Sequence, residues 1–238
     1  MSRVLRSLFY WAILLLQFLT RLSSTFVSGG SEVKGSLYTL IYAAVLGTVC
    51  ALLLTAVADV TAPFRQANAE AERNRNILKV LQISYPPEVS VSKLVEIFEN
   101  NVEMKVLGEL QFYRYPKGPG QAETVAFAFE GAGLWGPIKG FLALGPEMRT
   151  IRGITFYQQE ETPGLGGEIA SAKFGKQFQG RKIVDASGKV GIVIKGGGEK
   201  RAVNEVDAIT GATMTCEKVE AMLNSVIEKI VQETGNNG

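Results

Sequence analysis

Two threonines stand two residues apart in the run Asp207-Ala208-Ile209-Thr210-Gly211-Ala212-Thr213-Met214-Thr215, just before the last apolar-striped segment of the chain. Small residues and hydroxyls at a turn into a helix present free backbone N–H groups and the positive end of the helix dipole, a setting that suits a phosphate. Gly211 and Ala212 leave room for a bulky group to come close. A plainer reading also stands: Thr213 or Thr215 caps the helix, worth about 1 kcal/mol. Cys216 follows at once, either as a thiol activated by the helix start or as a small buried residue.

Two more stretches could serve the same site. Glu161-Thr162-Pro163-Gly164-Leu165-Gly166-Gly167-Glu168 is a glycine-dense loop whose backbone could lie against a flat ring, or a connecting turn. Gly133-Leu134-Trp135-Gly136-Pro137 follows a strand, and Trp135 either covers a planar cofactor or fills the core; core is the default for a tryptophan. Gly196-Gly197-Gly198 lacks both the G-x-G-x-x-G spacing and a following helix, so it reads as a flexible hairpin tip rather than a dinucleotide site.

Composition narrows the chemistry. The 238 residues hold 25 Lys and Arg, 23 Asp and Glu, and no His. No basic excess exists to displace counterions, so nucleic acid is not expected as a partner. Without histidine there is no Ser-His-Asp triad, no Cys/His zinc site and no HExxH helix. Cys50 and Cys216 alone cannot hold a metal or an iron–sulfur cluster, and no metal ligands are assigned. With 46% apolar and 20% charged residues the chain is not a disordered one.

The elements that must position these stretches follow from periodicity. Leu110–Tyr115, Thr124–Glu130, Lys139–Gly145 and Thr150–Tyr157 are β-rich and separated by Gly/Pro turns. A further strand pair is expected over Arg181–Asp185 and Val190–Ile194. Val91, Leu94, Val95 and Phe98 mark one face of a helix, and Val219, Met222, Leu223, Val226, Ile227, Ile230 and Val231 mark another over Cys216–Gln232. Helices flanking a mainly antiparallel sheet make the class α+β.

Leu37–Ala58 runs for 22 residues without a charge. As a helix it spans roughly 33 Å, enough for the hydrocarbon core of a bilayer. Asp59–Gln82 reads as a helix leaving the membrane, stopped by Tyr85-Pro86-Pro87. Leu8–Leu19 is shorter and flanked by Arg3, Arg6 and Arg21, so it reads as interfacial or packed against partner helices, with a second, tilted span as the alternative. The expected organisation is a tail over 1–36, a transmembrane helix over 37–58 and a domain over 59–238. Arg3, Arg6, Arg21 and Lys34 on the short tail argue for an inside N-terminus and an outside domain.

From about Arg65 to Gln232 the chain resembles the FMN-binding C subunit of sodium-translocating NADH:quinone reductases, and the related G subunit of RNF electron-transport complexes. Thr210-Gly211-Ala212-Thr213 is similar to that family's [Ser/Thr]-Gly-Ala-Thr flavinylation motif, with Asp207 and Thr215 in the same pattern. Gly133-Leu134-Trp135, Gly140–Leu144, Gly153–Tyr157, Glu161–Gly167 and Arg73–Leu78 also resemble it, and the C subunit more than the G subunit. Where the C subunit often has a histidine before the Glu-Thr-Pro-Gly-Leu-Gly loop, this chain has Gln158 and Gln159.

The resemblance implies one covalent FMN per chain, joined through a phosphoester to Thr213, with Thr215 the rival acceptor. Thr210, Gly211 and Ala212 would complete the motif around it. Trp135 and the loop residues Glu161, Thr162, Gly164, Leu165 and Gly166 would lie near the ring. It implies a flavin transferase for maturation, a bilayer and the other subunits of a respiratory complex as partners. The site would lie outside a bacterial inner membrane, and the complex would oxidise NADH, reduce a quinone and move sodium. The alternatives are an RNF-type subunit serving ferredoxin and NAD, and a cofactor-free membrane-tethered assembly domain.

Overall fold

The computed structural model describes residues 32–86, 88–108, 110–116, 123–197 and 202–235, with side chains from residue 38. Leu8–Leu19 and Asn236–Gly238 lie outside the described residues, as does most of the expected tail. The chain divides into two units, Met1–Ala67 and Asn68–Gly238.

In the first unit the described residues belong to helix α1, which runs unbroken over Glu32–Val80 and so continues into the second unit. The expected transmembrane stretch and the helix expected after it are therefore one element, even though Pro63 lies inside it. A proline there removes one backbone donor and crowds the carbonyl of Asp59 four residues back. Among the described residues this is the helix long and apolar enough to cross a membrane. Its large apolar side chains face outward, with Leu40, Leu52 and Leu54 each about two-thirds exposed or more. Thr48 and Thr55 turn their hydroxyls back onto the carbonyls of Ala44 and Ala51, which hides their polarity.

The second unit is an antiparallel meander covered on both faces. Helix α2 (Val91–Asn101) starts at Ser90, whose hydroxyl caps the Lys93 N–H. Then come β1 (Glu103–Leu107), β2 (Leu110–Tyr115), β3 (Thr124–Ala132), β4 (Pro137–Leu144) and β5 (Ile151–Gln158), paired in that order. A short 3-10 turn (Gly166–Ala170), helix α3 (Ala172–Lys176), strands β6 (Val193–Lys195) and β7 (Glu205–Asp207), and helix α4 (Thr213–Gly235) complete it. The class is α+β, as expected.

Burial explains why β3 and β4 are so apolar. Val125, Phe127 and Phe129 join the core that holds α4, while Ala126 faces the core built on Ile77, Leu78, Leu81 and Leu94. Ile138, Leu142 and Leu144 against Phe141 and Ala143 divide β4 in the same way. On α4, Val219, Met222, Leu223, Ile227 and Ile230 are buried as one stripe. Gly140 has no alternative: a Cβ there would stand 2.1 Å from the Thr155 carbonyl oxygen.

The structure departs from the sequence expectations in four places. Strand β1 has no counterpart among them, because Glu103, Lys105 and the exposed Met104 and Val106 give it no buried face to reveal it. The strand pair over Arg181–Asp185 and Val190–Ile194 reduces to one bridge, Val184 with Val190. The end of that second segment instead enters β6, which pairs in parallel with β7. Because β6 and β7 run in parallel, Gly196 and Gly197 do not form the tip of a tight hairpin between them, and Gly198 lies outside the described residues. Helix α1 ends at Val80, ahead of the prolines, where Gln82 takes a φ of 61° and donates from its side chain to the Arg152 carbonyl at 3.0 Å.

Candidate functional site

Three turns of the second unit meet at one place. The β3–β4 hairpin closes with Gly133 donating to the Gly136 carbonyl at 2.8 Å, so Leu134 and Trp135 form its tip. The loop after β5 doubles back at Thr162, whose carbonyl accepts from Leu165 at 3.1 Å and Gly167 at 2.9 Å. Gly211, at φ 79°, turns the chain into α4. Together they line a cleft of about 240 Å³ with Leu134, Trp135, Glu161, Thr162, Leu165, Gly166, Gly211, Ala212, Thr213, Met214 and Thr215.

Glu161 joins the three. Its side chain is only 4% exposed. One carboxylate oxygen, Oε1, accepts from the N–H of Leu134 at 2.7 Å and of Trp135 at 3.2 Å. The other, Oε2, accepts from the Thr215 hydroxyl at 2.6 Å. Burial works against the charged form. The hydrogen bonds from Thr215, Trp135 and Leu134, helped by the Lys218 ammonium, outweigh it and hold the carboxyl below its ordinary range. Glu161 is therefore a buried, ionised tie between the hairpin tip and the first turn of α4.

The glycines of the motifs follow from this carboxylate. A Cβ on Gly133 would come within 2.4 Å of Glu161 Oε1, and one on Gly166 within 2.6 Å of Thr215 Oγ1 and 2.9 Å of Glu161 Oε2. Both glycines leave the space that Glu161 and Thr215 occupy. Gly211 lies against Leu165, with a Cβ there 3.1 Å from Leu165 Cδ2, and its positive φ favours glycine in any case.

The two threonines are set apart. Thr215 is buried and its hydroxyl is committed to Glu161. It does not cap the helix. Thr213 is exposed at the first residue of α4, and its hydroxyl makes no hydrogen bond among the described residues. The first helical hydrogen bond runs from Cys216 N–H to the Ala212 carbonyl at 3.0 Å. The N–H groups of Thr213, Met214 and Thr215 precede it, so they are the donors a helix start leaves free.

Trp135 is 70% exposed, so it is not a core residue. With Leu134, Leu165 and Met214, each more than 40% exposed, it makes an apolar rim around the cleft. The sequence reading passes over Met214 and Lys218, whose place beside the threonine motif is the one signal that could have found them. Asp207 and Thr210 line a neighbouring hollow of about 490 Å³ with Glu168, Phe174 and Gln177. Gly164, at φ 75°, is exposed at the loop turn outside the cleft lining. Cys216 is buried, and burial pushes its thiol up, away from reactivity.

A sequence profile of FMN-binding domains matches residues 133–228, a span that runs from the hairpin tip into α4. Over those residues the chain is similar to FMN-binding domains. Beyond the domain, the chain is 28% identical to the C subunit of the Na(+)-translocating NADH-quinone reductase of Pasteurella multocida, over 76% of this chain and 85% of that protein. The fold matches the crystal structure of Shewanella oneidensis NqrC with a TM-score of 0.60 at 21% identity, covering 72% of this chain and 98% of that one. It matches the C subunit of the same kind of reductase from Parabacteroides distasonis with a TM-score of 0.58 at 27% identity, over 71% and 94% of the two chains. The resemblance to C subunits therefore extends well beyond the FMN-binding domain.

The cleft fits an FMN held by its phosphate. An exposed hydroxyl, free helix-start N–H groups and an apolar rim are groups such a ligand needs. At about 240 Å³ the cleft is too small to enclose the whole nucleotide.

Proposed function

We propose that this chain is the electron-carrying C subunit of a sodium-translocating NADH:quinone reductase, with one FMN joined by a phosphoester to Thr213. The observation that carries the reading is the contrast between the two threonines: Thr213 offers an exposed, unengaged hydroxyl at the helix start, and Thr215 is spent on Glu161. A phosphodiester keeps about one negative charge, which the start of α4 offsets by roughly 0.3–1 kcal/mol. FMN supplies the electron chemistry when bound, and the chain's own residues bind, orient and tune it. Covalent attachment keeps the carrier in place in every redox state, and a partly open ring suits transfer to neighbouring subunits. The chain alone holds no NADH or quinone site in this account.

In this reading 37–58 crosses a bacterial inner membrane once, and 59–238 lies on its outer face. A flavin transferase installs the FMN, and the other subunits supply and accept electrons. The C-subunit names of its relatives favour this complex over an RNF-type one. The test is the mass of the intact chain after co-expression with a flavin transferase. One FMN, less one water, should be gained by the native chain and by Thr215→Ser, and not by Thr213→Ala. A native chain that is both colourless and of unmodified mass would leave the membrane-tethered assembly domain.

A further inference from the structure

The placement of charge around Glu161 goes beyond a structural tie. Its carboxylate lines the cleft, is buried and accepts three hydrogen bonds from two different turns. The nearest acid along the chain, Glu160, is exposed, lies beside Gly136 and does not line the cleft. The cation facing Glu161 is Lys218, one turn along α4 from Thr215. A fixed charge away from water acts on its neighbours far more strongly than one that solvent screens.

We propose that Glu161 is the positioning residue of this site: its carboxylate fastens the hairpin tip to the start of α4 before any cofactor arrives. It then holds a negative charge under the cleft that makes the bound FMN harder to reduce. The second half rests on the flavin reading given above; the first half does not. An added electron brings negative charge to the ring, and a nearby buried anion opposes it. The same hydrogen bonds keep Trp135 and the Thr213 helix start in register, so geometry and charge come from one side chain.

Three variants of the full chain separate the two effects. Glu161→Gln removes the charge and keeps the shape: its carbonyl can accept from Leu134 and Trp135, and its amide can donate to the Thr215 hydroxyl oxygen. Glu161→Asp keeps the charge and withdraws it by one methylene. Glu160→Gln removes an exposed charge nearby as the control. Two readouts are needed on detergent-purified protein. Amide hydrogen exchange over residues 133–136 of the flavin-free chain reports the tie. Redox titration of the flavin-loaded chain reports the charge.

The expected pattern is crossed. Glu161→Gln exchanges at 133–136 within about threefold of the native chain, and its flavin is easier to reduce by about tenfold in the one-electron equilibrium, about 59 mV. Glu161→Asp exchanges at least about tenfold faster and titrates within about threefold of native. Glu160→Gln changes neither by more than about threefold. If Glu161→Gln carries FMN and titrates like the native chain, the charge effect is overturned while the flavin reading stands. If Glu161→Asp leaves exchange at 133–136 unchanged, the tie is overturned. If the native chain takes up no FMN, the flavin reading fails and the charge effect with it, and the exchange data still judge the tie.

Discussion

Thr215→Val replaces a buried hydroxyl by a methyl of nearly the same size. The cleft keeps its shape, and Glu161 Oε2 loses its 2.6 Å donor. A hydrogen bond to a charged acceptor contributes about 1.5–3 kcal/mol, and an oxygen this buried has no water to turn to. We expect a loss of about 2 kcal/mol, or roughly 4–8 °C in the melting temperature of a domain this size. The effect should depend on pH with a definite sign. Glu161 is held below its ordinary range in the folded chain, so its contribution is present above the unfolded carboxyl pKa of about 4.3 and is lost as pH falls through the lower folded value. The variant lacks one of the bonds that lower that pKa. Its gap from the native chain should therefore be full at neutral pH and narrow below about pH 4.3. Thermal melts followed by circular dichroism on the detergent-purified chain measure both. Thr215→Ser should recover most of the loss. A Thr215→Val chain within about 0.5 kcal/mol of native at neutral pH, or a gap that ignores acid, would refute the picture of a buried ionised tie.

Gly166→Ala should destabilise the fold by about 1–3 kcal/mol, because its Cβ would stand 2.6 Å from the Thr215 hydroxyl; a melt unchanged from native would place that hydroxyl elsewhere. Cys216, buried and with its thiol pushed up, should react with a thiol reagent at least about a hundredfold more slowly in the folded chain than in denaturant, as followed by mass. Phe127→Ala, at a fully buried site between the sheet and α4, should cost about 3–5 kcal/mol by the same melts; a cost under about 1 kcal/mol would mean that this layer of the core is not packed as described.

Much of this is legible in the residues. The four strands β2 to β5 and the α4 stripe follow from alternation and helical spacing, because each has a buried face for the pattern to record. Strand β1 has none and leaves no trace. Strands β6 and β7 hold three residues each and pair in parallel, which no local pattern reports. The three site segments are legible as glycine-rich and hydroxyl-rich turns, but their meeting point is not. In the sequence Glu161 looks like one more loop residue, and only the fold reveals that Gly133 and Gly166 exist to admit its carboxylate. Trp135 is the instructive reversal: a tryptophan belongs in a core by default, yet the hairpin tip carries it into solvent, where it lines the cleft.

The account stands on the Thr213 hydroxyl. Tandem mass spectrometry of the peptide spanning residues 207–218, taken from the chain matured with a flavin transferase, reads it directly. The account predicts FMN phosphate on Thr213, an unmodified Thr215, and loss of the yellow chromophore in Thr213→Ala with the melting temperature of the flavin-free chain unchanged. FMN found on Thr215, or a flavin still attached in Thr213→Ala, would contradict it.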